Sequence, residues 1–256
     1  MNLPIKDQIM KIGILGTGHI GKTLVKRLSA AGHDVKVANS RGPDSIEADL
    51  LDSGARAVTK EEALTDVEAV ILSIPLNRIP EISPLAARLP EDTVVIDTSN
   101  YYPFRDNRID AIESGQVESL WVSEQLNRPI VKAWNAIGSA SLATKAKPAG
   151  ASGRIALPVG ADRARDRQMA MALVEDSGLD AYDAGKLAES WRQQPGAPAY
   201  CTELTRQHLP AALQAARKDL IARRRDLAIT TITEKMENGA VLTSDDLVEI
   251  NRSIYN

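Results

Sequence analysis

A glycine loop near the start of this chain limits the folds open to it more than any other feature does. The run Gly16-Thr17-Gly18-His19-Ile20-Gly21 fits the pattern G-x-G-x-x-G and directly follows the apolar run Ile12–Leu15. A helical pattern from Ile20 to Ala31 comes next, and Gly32 is a natural helix end. The sequence therefore predicts a β-strand, a tight turn and an α-helix in immediate succession.

The same alternation of strands and helices continues along most of the chain. Further apolar runs predict strands at Val35–Ala38, Arg56–Val58, Ala69–Ile74, Thr93–Asp97, Ile130–Trp134, Arg154–Val159 and Leu179–Ala184. Helical patterns lie between them at 44–53, Lys60–Leu64, 78–89 and Arg163–Glu175. Strands that alternate with crossover helices predict an α/β protein with a Rossmann-type, doubly wound, mostly parallel sheet.

The last part of the chain has no strand pattern and predicts a helical C-terminal extension. After the loop Gln193–Pro198, a stripe at helical spacing predicts one helix that ends near Asn238-Gly239. Its members are Leu209, Leu213, Ala216, Leu220 and Leu227. Ser244 is expected to cap a last short helix. We therefore divide the chain into residues 1–190, a dinucleotide-binding domain, and 191–256, an extension for packing or dimerisation.

Composition excludes several classes of function. The formal net charge of -3 over 256 residues gives no electrostatic case for binding nucleic acid or an anionic membrane. The basic run Arg223–Arg225 is expected to be a solvated helix face. The single Cys201 excludes an intramolecular disulfide, and we predict no metal site. Without an apolar run of membrane-spanning length or a signal peptide, we expect a cytoplasmic protein in which residues 1–9 form a short extension.

The glycine loop has the placement that dinucleotide binding requires. Gly16 permits the tight turn, Gly18 lets the backbone approach a pyrophosphate, and Gly21 lets the helix pack closely on the strand. The helix N-terminus then presents free N–H groups to the phosphates. His19 is expected to contribute its backbone rather than chemistry, and Thr17 and Ile20 belong to the same predicted cofactor site. A tight turn without a ligand is the alternative interpretation of the pattern.

The end of the second predicted strand indicates which dinucleotide binds. An NAD site usually has a carboxylate there, which accepts hydrogen bonds from the ribose. This chain instead has Asn39-Ser40-Arg41. Ser40 offers a hydroxyl and Arg41 a guanidinium suited to a 2′-phosphate, while Asn39 can bind ribose without repelling that phosphate. The sequence therefore predicts NADP.

Two further segments are expected where the nicotinamide would lie. Ser73-Ile74-Pro75 and Thr98-Ser99-Asn100 follow the fourth and fifth predicted strands. Ligands bind outside the carboxyl ends of strands in doubly wound sheets. Ile74 and Pro75 would form an apolar wall, and the polar residues would bind the ribose, the amide or a second substrate.

Together with Asp97–Tyr101 and Ile130–Ile137, these motifs resemble the NADP oxidoreductases described as coenzyme F420-dependent. That group comprises NADPH:deazaflavin reductases and the reductase domains of eukaryotic metalloreductases. The resemblance covers residues 10–190. It implies that nicotinamide meets the ring of a second redox cofactor, a flavin or coenzyme F420, beside Asn135, Ala136 and Ile137. Deazaflavin reductases typically carry a histidine where Asn135 stands, whereas flavin-using relatives resemble this chain. Many such reductases are dimers, so we expect a homodimer.

Hydride transfer between two such rings asks little of protein side chains, so we assign no catalytic residue. Two alternatives remain. A 3-hydroxyacid dehydrogenase would need a general base, for which Lys132 and Lys186 are available. A non-enzymatic NADP sensor would bind the nucleotide tightly without turnover.

Overall fold

The computed structural model describes residues 8–255 and shows an eight-stranded sheet within them. The extension predicted over residues 1–9 lies almost entirely outside the described residues. The strands are β1 (Lys11–Leu15), β2 (Asp34–Ala38), β3 (Arg56–Ala57), β4 (Ala69–Leu72), β5 (Val94–Asp97), β6 (Val131–Lys132), β7 (Ala156–Ala161) and β8 (Asp180–Asp183).

The strand order is β3-β2-β1-β4-β5-β6-β7-β8, so the chain builds outward from β1 in two directions. All neighbouring strands are parallel except β6 and β7, which are antiparallel. The change of direction after β3 leaves a switch point between β1 and β4, where open α/β sheets bind ligands. This order confirms the predicted doubly wound, mostly parallel sheet.

Helices cover both faces of the sheet. They are α1 (His19–Ala30), α2 (Lys60–Ala63), α3 (Ile79–Ala86), α4 (Pro103–Asp106), α5 (Asp110–Glu113), α6 (Glu118–Leu126), α7 (Ser139–Thr144), α8 (Ala164–Asp176), α9 (Leu209–Ala215), α10 (Ile221–Glu237) and α11 (Ser244–Tyr255). One apolar core contains residues of α1 and α8, and a second contains residues of α3 and α6. Among the described residues, no helix is long and apolar enough to span a membrane.

The side chains of β4 alternate between the two cores. Ile71 belongs to the first core, and Val70 and Leu72 belong to the second. A strand that is buried on both faces has to be apolar throughout, which explains why this run contains no polar residue. Ser73 follows directly, at the carboxyl edge of the sheet where the glycine loop lies.

The helix predicted over 44–53 is wrong. Pro43–Ser45 and Ala48–Leu50 form separate 3-10 turns, and Glu47 between them has extended backbone. The segment is held against α1 by an ion pair of 2.7 Å between Lys26 Nζ and Asp49 Oδ2. Ile46 is buried in the first core from this irregular path. Tertiary packing, rather than helical periodicity, thus determines its conformation.

The single helix predicted from Leu209 onward is also wrong, because the chain breaks between α9 and α10. Ala216 leaves the helical region with φ of -60° and ψ of 136°. It packs with Ala197 and Ile221 in a small buried cluster, which a continuous helix would not allow. Leu227 of the predicted stripe is 50% exposed.

The C-terminal helices lie against the sheet domain instead of projecting from it. Arg225 is buried, so the prediction that Arg223–Arg225 is wholly a solvated face is wrong for this residue. Its guanidinium lies 5.3 Å from the ring centroid of Tyr101. The side chain of Arg252 in α11 donates to the carbonyl of Thr202 over 2.9 Å. The helical extension is confirmed, whereas the division at residues 190 and 191 stays a prediction.

Candidate functional site

A cavity of about 580 Å³ opens at the carboxyl ends of β1, β2 and β4. Half of the predicted site residues line it, namely Gly16, Thr17, Gly18, Asn39, Ser40, Arg41, Ser73, Ile74 and Pro75. These residues come from three segments that are far apart in sequence, and the parallel register of the three strands brings their ends together. The cavity therefore lies at the switch point of the sheet.

The glycines of the loop meet three different requirements. Gly16 has φ of +111°, and a Cβ atom there would lie 2.1 Å from the carbonyl oxygen of Ser73. A Cβ atom on Gly21 would lie 2.1 Å from the carbonyl oxygen of Gly16. A Cβ atom on Gly18 would meet nothing within 4 Å. Gly16 and Gly21 are thus required for packing, whereas Gly18 borders open space that a ligand can occupy.

The first turn of α1 begins at this loop. Gly18 is its N-cap residue and supplies no side-chain hydrogen bond, so the first N–H groups of the helix are available to an anion. His19 is exposed, Ile20 is half-buried and Gly21 is buried. These three residues do not line the cavity with side chains, and their expected contribution is through the backbone.

Asn39 orders the loop that carries Arg41. Its Oδ1 accepts a hydrogen bond of 2.8 Å from the backbone N–H of Arg41, which closes a tight turn. Its Nδ2 donates to Ser45 Oγ over 2.9 Å and reaches Thr17 Oγ1 at 3.4 Å. The amide therefore joins the β2 loop to the glycine loop, in addition to any contact with a ribose. Ser40 and Arg41 are exposed at the cavity rim.

Ser73, Ile74 and Pro75 form the wall on the other side of the glycine loop. Asn77 also lines this part, and its buried Oδ1 has no hydrogen-bond partner among the described residues. Such an atom is rare in a folded protein and is a group that a bound ligand or water can satisfy. The 3-10 turn Leu76–Arg78 that carries Asn77 leads directly into α3.

Thr98, Ser99 and Asn100 do not line the cavity, and their predicted contacts with the ligand stay a prediction. Thr98 Oγ1 donates to the carbonyl of Leu72 over 3.1 Å. Asn100 Nδ2 donates to the carbonyl of Asn135 over 3.0 Å. The side chains of Thr98 and Asn100 are thus already hydrogen-bonded within the protein.

Asn135, Ala136 and Ile137 are likewise buried and do not line the cavity. Asn135 Nδ2 donates to Asn100 Oδ1 over 3.0 Å and to the carbonyl of Gln193 over 2.8 Å. The carbonyl of Ala136 accepts from the N–H of Cys201 over 3.0 Å. The segment expected beside a second ring is thus covered by residues of the C-terminal extension.

A buried charged cluster lies between the sheet and the C-terminal extension. Lys132 Nζ is 2.6 Å from Asp97 Oδ2, and both side chains are fully buried. Burial raises the pKa of the Glu118 carboxyl to about 7, although the charge of Lys132 opposes this effect.

Burial also raises the pKa of the Cys201 thiol to about 12, so Cys201 stays protonated. Within the described chain, no group of three His, Cys, Asp or Glu side chains is placed to hold a metal ion.

Several cavity residues were missed from the sequence. Lys60, Arg78 and Arg105 line the cavity together with Glu81 and Ile82. Lys60 begins α2 just after β3, the neighbour of β2, and this position was the available sequence signal. Arg105 follows β5 by several residues, and only the tertiary structure brings it to the cavity.

The charge of the cavity fits NADP. Four basic side chains (Arg41, Lys60, Arg78 and Arg105) line it, against one acidic side chain, Glu81. This surplus of positive charge occurs in a chain whose formal net charge is -3. A dinucleotide with a pyrophosphate and a 2′-phosphate is strongly anionic, so the lining matches it in charge and in the open space over Gly18.

Known proteins resemble this chain over the same region. The family described as NADP oxidoreductase coenzyme F420-dependent matches residues 11–101. The Escherichia coli (strain K12) protein YjhV is 36% identical over 107 residues, which are 42% of this chain and 76% of that protein. The hypothetical protein SMa0349 from Sinorhizobium meliloti has a TM-score of 0.66 at 28% identity, covering 77% of this chain and 96% of that one.

A provisionally named F420-dependent NADP reductase from Arthrobacter sp. FB24 has a TM-score of 0.55 at 20% identity, covering 69% of this chain and 85% of that one. At that identity the likeness concerns the fold. The chain belongs to the family of NADP oxidoreductases described as coenzyme F420-dependent. It is an NADP-dependent oxidoreductase.

Proposed function

We propose that this oxidoreductase transfers hydride between NADPH and a flavin-like or deazaflavin-like acceptor. The observation that carries the proposal is a cavity over the glycine loop, with the basic Arg41 and Lys60 at the β2 end and the apolar Ile74 and Pro75 at the β4 end. A phosphorylated dinucleotide fits the first end. A planar redox ring fits the second end, because apolar walls bury rings favourably.

The adenosine half of NADPH is assigned to the loops after β2 and β3. Ser40, Arg41 and Lys60 surround the position expected for the 2′-phosphate. Arginine suits a phosphate because its planar fork donates two parallel hydrogen bonds. The backbone N–H groups of Gly18, His19 and Ile20 would receive the pyrophosphate, with Thr17 beside them and Gly16 and Gly21 holding the turn.

The nicotinamide half is assigned to Ser73, Ile74 and Pro75, with Asn77 as an additional polar group. Bound NADPH supplies a hydride, and a flavin takes it up with one solvent proton, leaving NADP⁺ and the two-electron-reduced ring. The protein's task is to hold both rings in register and to exclude water.

The titratable groups that line the cavity support hydride transfer without a protein base. The acidic residue of the lining, Glu81, forms an ion pair of 2.7 Å with Arg78, and both side chains are more than half exposed. Lys132 is buried against Asp97 and Lys186 is exposed, and neither of these candidate bases lines the cavity. Ring-to-ring hydride transfer needs no protein base, whereas alcohol oxidation does.

Thr98, Ser99, Asn100, Asn135, Ala136 and Ile137 are proposed to act from a supporting layer. The reciprocal bonds between Asn100 and Asn135 fix the turn after β5, which borders the acceptor side of the cavity. We further propose that the protein is cytoplasmic and forms a homodimer.

Oxidation of NADPH and NADH by the purified protein tests the proposal. FMN, riboflavin and a deazaflavin are offered in turn, with protein-free controls. We expect at least one ring to oxidise NADPH. The same ring should oxidise NADPH faster than it oxidises NADH. Tight NADPH binding without oxidation by any ring would overturn the proposal. It would favour the 3-hydroxyacid dehydrogenase or the NADP sensor, which a screen of carbonyl substrates separates.

A further inference from the structure

An arginine lies at each end of the cavity. Arg41 follows β2, whereas Arg105 lies in α4, in the segment that follows β5. In the sheet, β1 and β4 separate β2 from β5. A dinucleotide that places its adenosine at β2 and its pyrophosphate at β1 brings its nicotinamide to β4. Under the proposed function, Arg105 therefore borders the space beyond the nicotinamide, on the side assigned to the second substrate.

The guanidinium of Arg105 is held in one orientation. Its Nε and Nη2 donate to the two oxygens of Asp106 over 3.1 and 2.7 Å, and the Asp106 side chain is fully buried. Nη2 also donates to the carbonyl of Asn100. The guanidinium carbon lies 5.3 Å from the ring centroid of Tyr102. An arginine fixed on one edge loses little conformational entropy when the other edge binds a ligand.

The remaining edge of Arg105 is available. Within residues 8–255, no side chain or carbonyl accepts a hydrogen bond from Nη1, and the side chain is 41% exposed. Phe104, the only phenylalanine of the chain, precedes Arg105 in the sequence and is 73% exposed. An available guanidinium edge at the cavity suits a ligand that carries an anionic group such as a phosphate.

We propose that Arg105 binds a phosphate on the side chain of the acceptor, so that the acceptor is a phosphorylated ring such as FMN rather than a neutral one such as riboflavin. The inference rests on the proposed function for the identity of the ring. The proposed function assigns the phosphates of NADPH to the β1 and β2 end of the cavity. Arg105 is therefore available to bind the second substrate. A charge-assisted bond of this kind favours the phosphorylated ring by about tenfold to a hundredfold in affinity.

FMN and riboflavin share one ring and differ by one phosphate. The difference between their affinities therefore measures the proposed contact between Arg105 and the phosphate. Their dissociation constants are measured by flavin fluorescence with the NADP⁺-loaded protein. We expect the wild type to bind FMN at least about tenfold more tightly than riboflavin. Arg105→Gln should remove that preference by weakening the binding of FMN. The affinities for riboflavin and NADPH should not change. Arg105→Lys should keep part of it, because the charge remains and the fork is lost.

Arg108→Gln is the matched control. Arg108 is 71% exposed, pairs with Asp110 and lies three residues further along without lining the cavity. The proposal is overturned if the wild type does not prefer FMN, if R105Q keeps the preference, or if R105Q weakens NADPH, which would assign Arg105 to the dinucleotide. An FMN preference that R105Q abolishes, in a protein that oxidises NADPH with no ring, would support the phosphate site and overturn only the proposed function.

Discussion

At the scale of single residues, Arg41 is the side chain to which we assign the preference for NADP(H). We expect Arg41→Ala to raise the dissociation constant of NADPH by about tenfold to a hundredfold, because a charge-assisted hydrogen bond to phosphate is lost. NADH lacks the 2′-phosphate, so its affinity should not change. Titration calorimetry with both nucleotides measures the two effects.

Arg56→Ala provides the comparison for Arg41. Arg56 also lies at the β2 and β3 side of the sheet and is exposed, but its partner is Asp34 and it does not line the cavity. Its removal should leave both nucleotides unaffected. An equal loss of NADPH and NADH in Arg41→Ala would contradict the assignment to the 2′-phosphate.

Gly18 and Gly21 should respond to the same substitution in opposite ways. Gly18→Ala places a methyl group in open space, so the free energy of unfolding should change by less than about 1 kcal/mol while dinucleotide binding is lost. Gly21→Ala presses a methyl group onto the Gly16 carbonyl and should destabilise the fold by about 1–3 kcal/mol. Urea unfolding and NADPH titration separate the two outcomes. Unimpaired NADPH binding by Gly18→Ala would refute the proposed path of the pyrophosphate.

Residues whose position at the cavity follows from local backbone geometry could be predicted from the sequence. The glycine loop and Ser40-Arg41 belong to this group, because the strand, turn and helix that hold them are adjacent in the chain. Arg105 reaches the cavity only through the tertiary structure, which no local pattern records, whereas the position of Lys60 just after β3 was a signal that the sequence offered. The side chains of Asn100 and Asn135 are polar in the sequence, and only the packed structure reveals that they bond to each other.

At the scale of secondary-structure elements, the start of α6 is a pH-sensitive contact with the C-terminal extension. Glu118 accepts hydrogen bonds from the Tyr101 N–H at 3.1 Å and from Gln194 Nε2 at 3.2 Å. Burial raises its pKa from 4.5 to about 7. Between these values the folded protein binds a proton that the unfolded chain does not, so stability falls as the pH rises through this window.

Glu118→Gln should remove that dependence. Across the pH window the wild type should lose about 3 kcal/mol of unfolding free energy that the variant does not lose. Urea unfolding of both proteins at pH 4.5, 6 and 8 gives the difference between their free energies of unfolding at each pH. The effects of other titrating groups cancel in that difference. Parallel pH profiles for the two proteins would exclude a raised pKa for Glu118.

The elements that could be predicted were those whose sequence pattern and packing agree. Runs such as Ala69–Leu72 are apolar because both faces are buried, so sequence and structure carry the same information. The 3-10 turns over residues 43–50 and the break after α9 depend on contacts with α1 and with Ala197. A helical period in the sequence does not reveal such contacts.

At the scale of the whole molecule, the proposed homodimer has a test on α10. Leu227 is 50% exposed although the apolar stripe predicts its burial, and a second subunit would cover it. We expect sedimentation at twice the mass of one chain, and Leu227→Glu should yield the monomer. Met236→Glu, on the opposite side of α10, should leave the dimer intact. A monomeric wild type would contradict the proposal.

Direct hydride transfer from NADPH to a second ring is tested most directly by the fate of the transferred hydrogen. NADPH deuterated at nicotinamide C4, in both stereochemical forms, is mixed with the protein and a deazaflavin. The reduced deazaflavin holds the transferred hydrogen on carbon, where it does not exchange with water. We predict that mass spectrometry finds the deuterium in the reduced ring for one form of NADPH. Consumption of NADPH without deuterium in the reduced ring for either form would contradict the account.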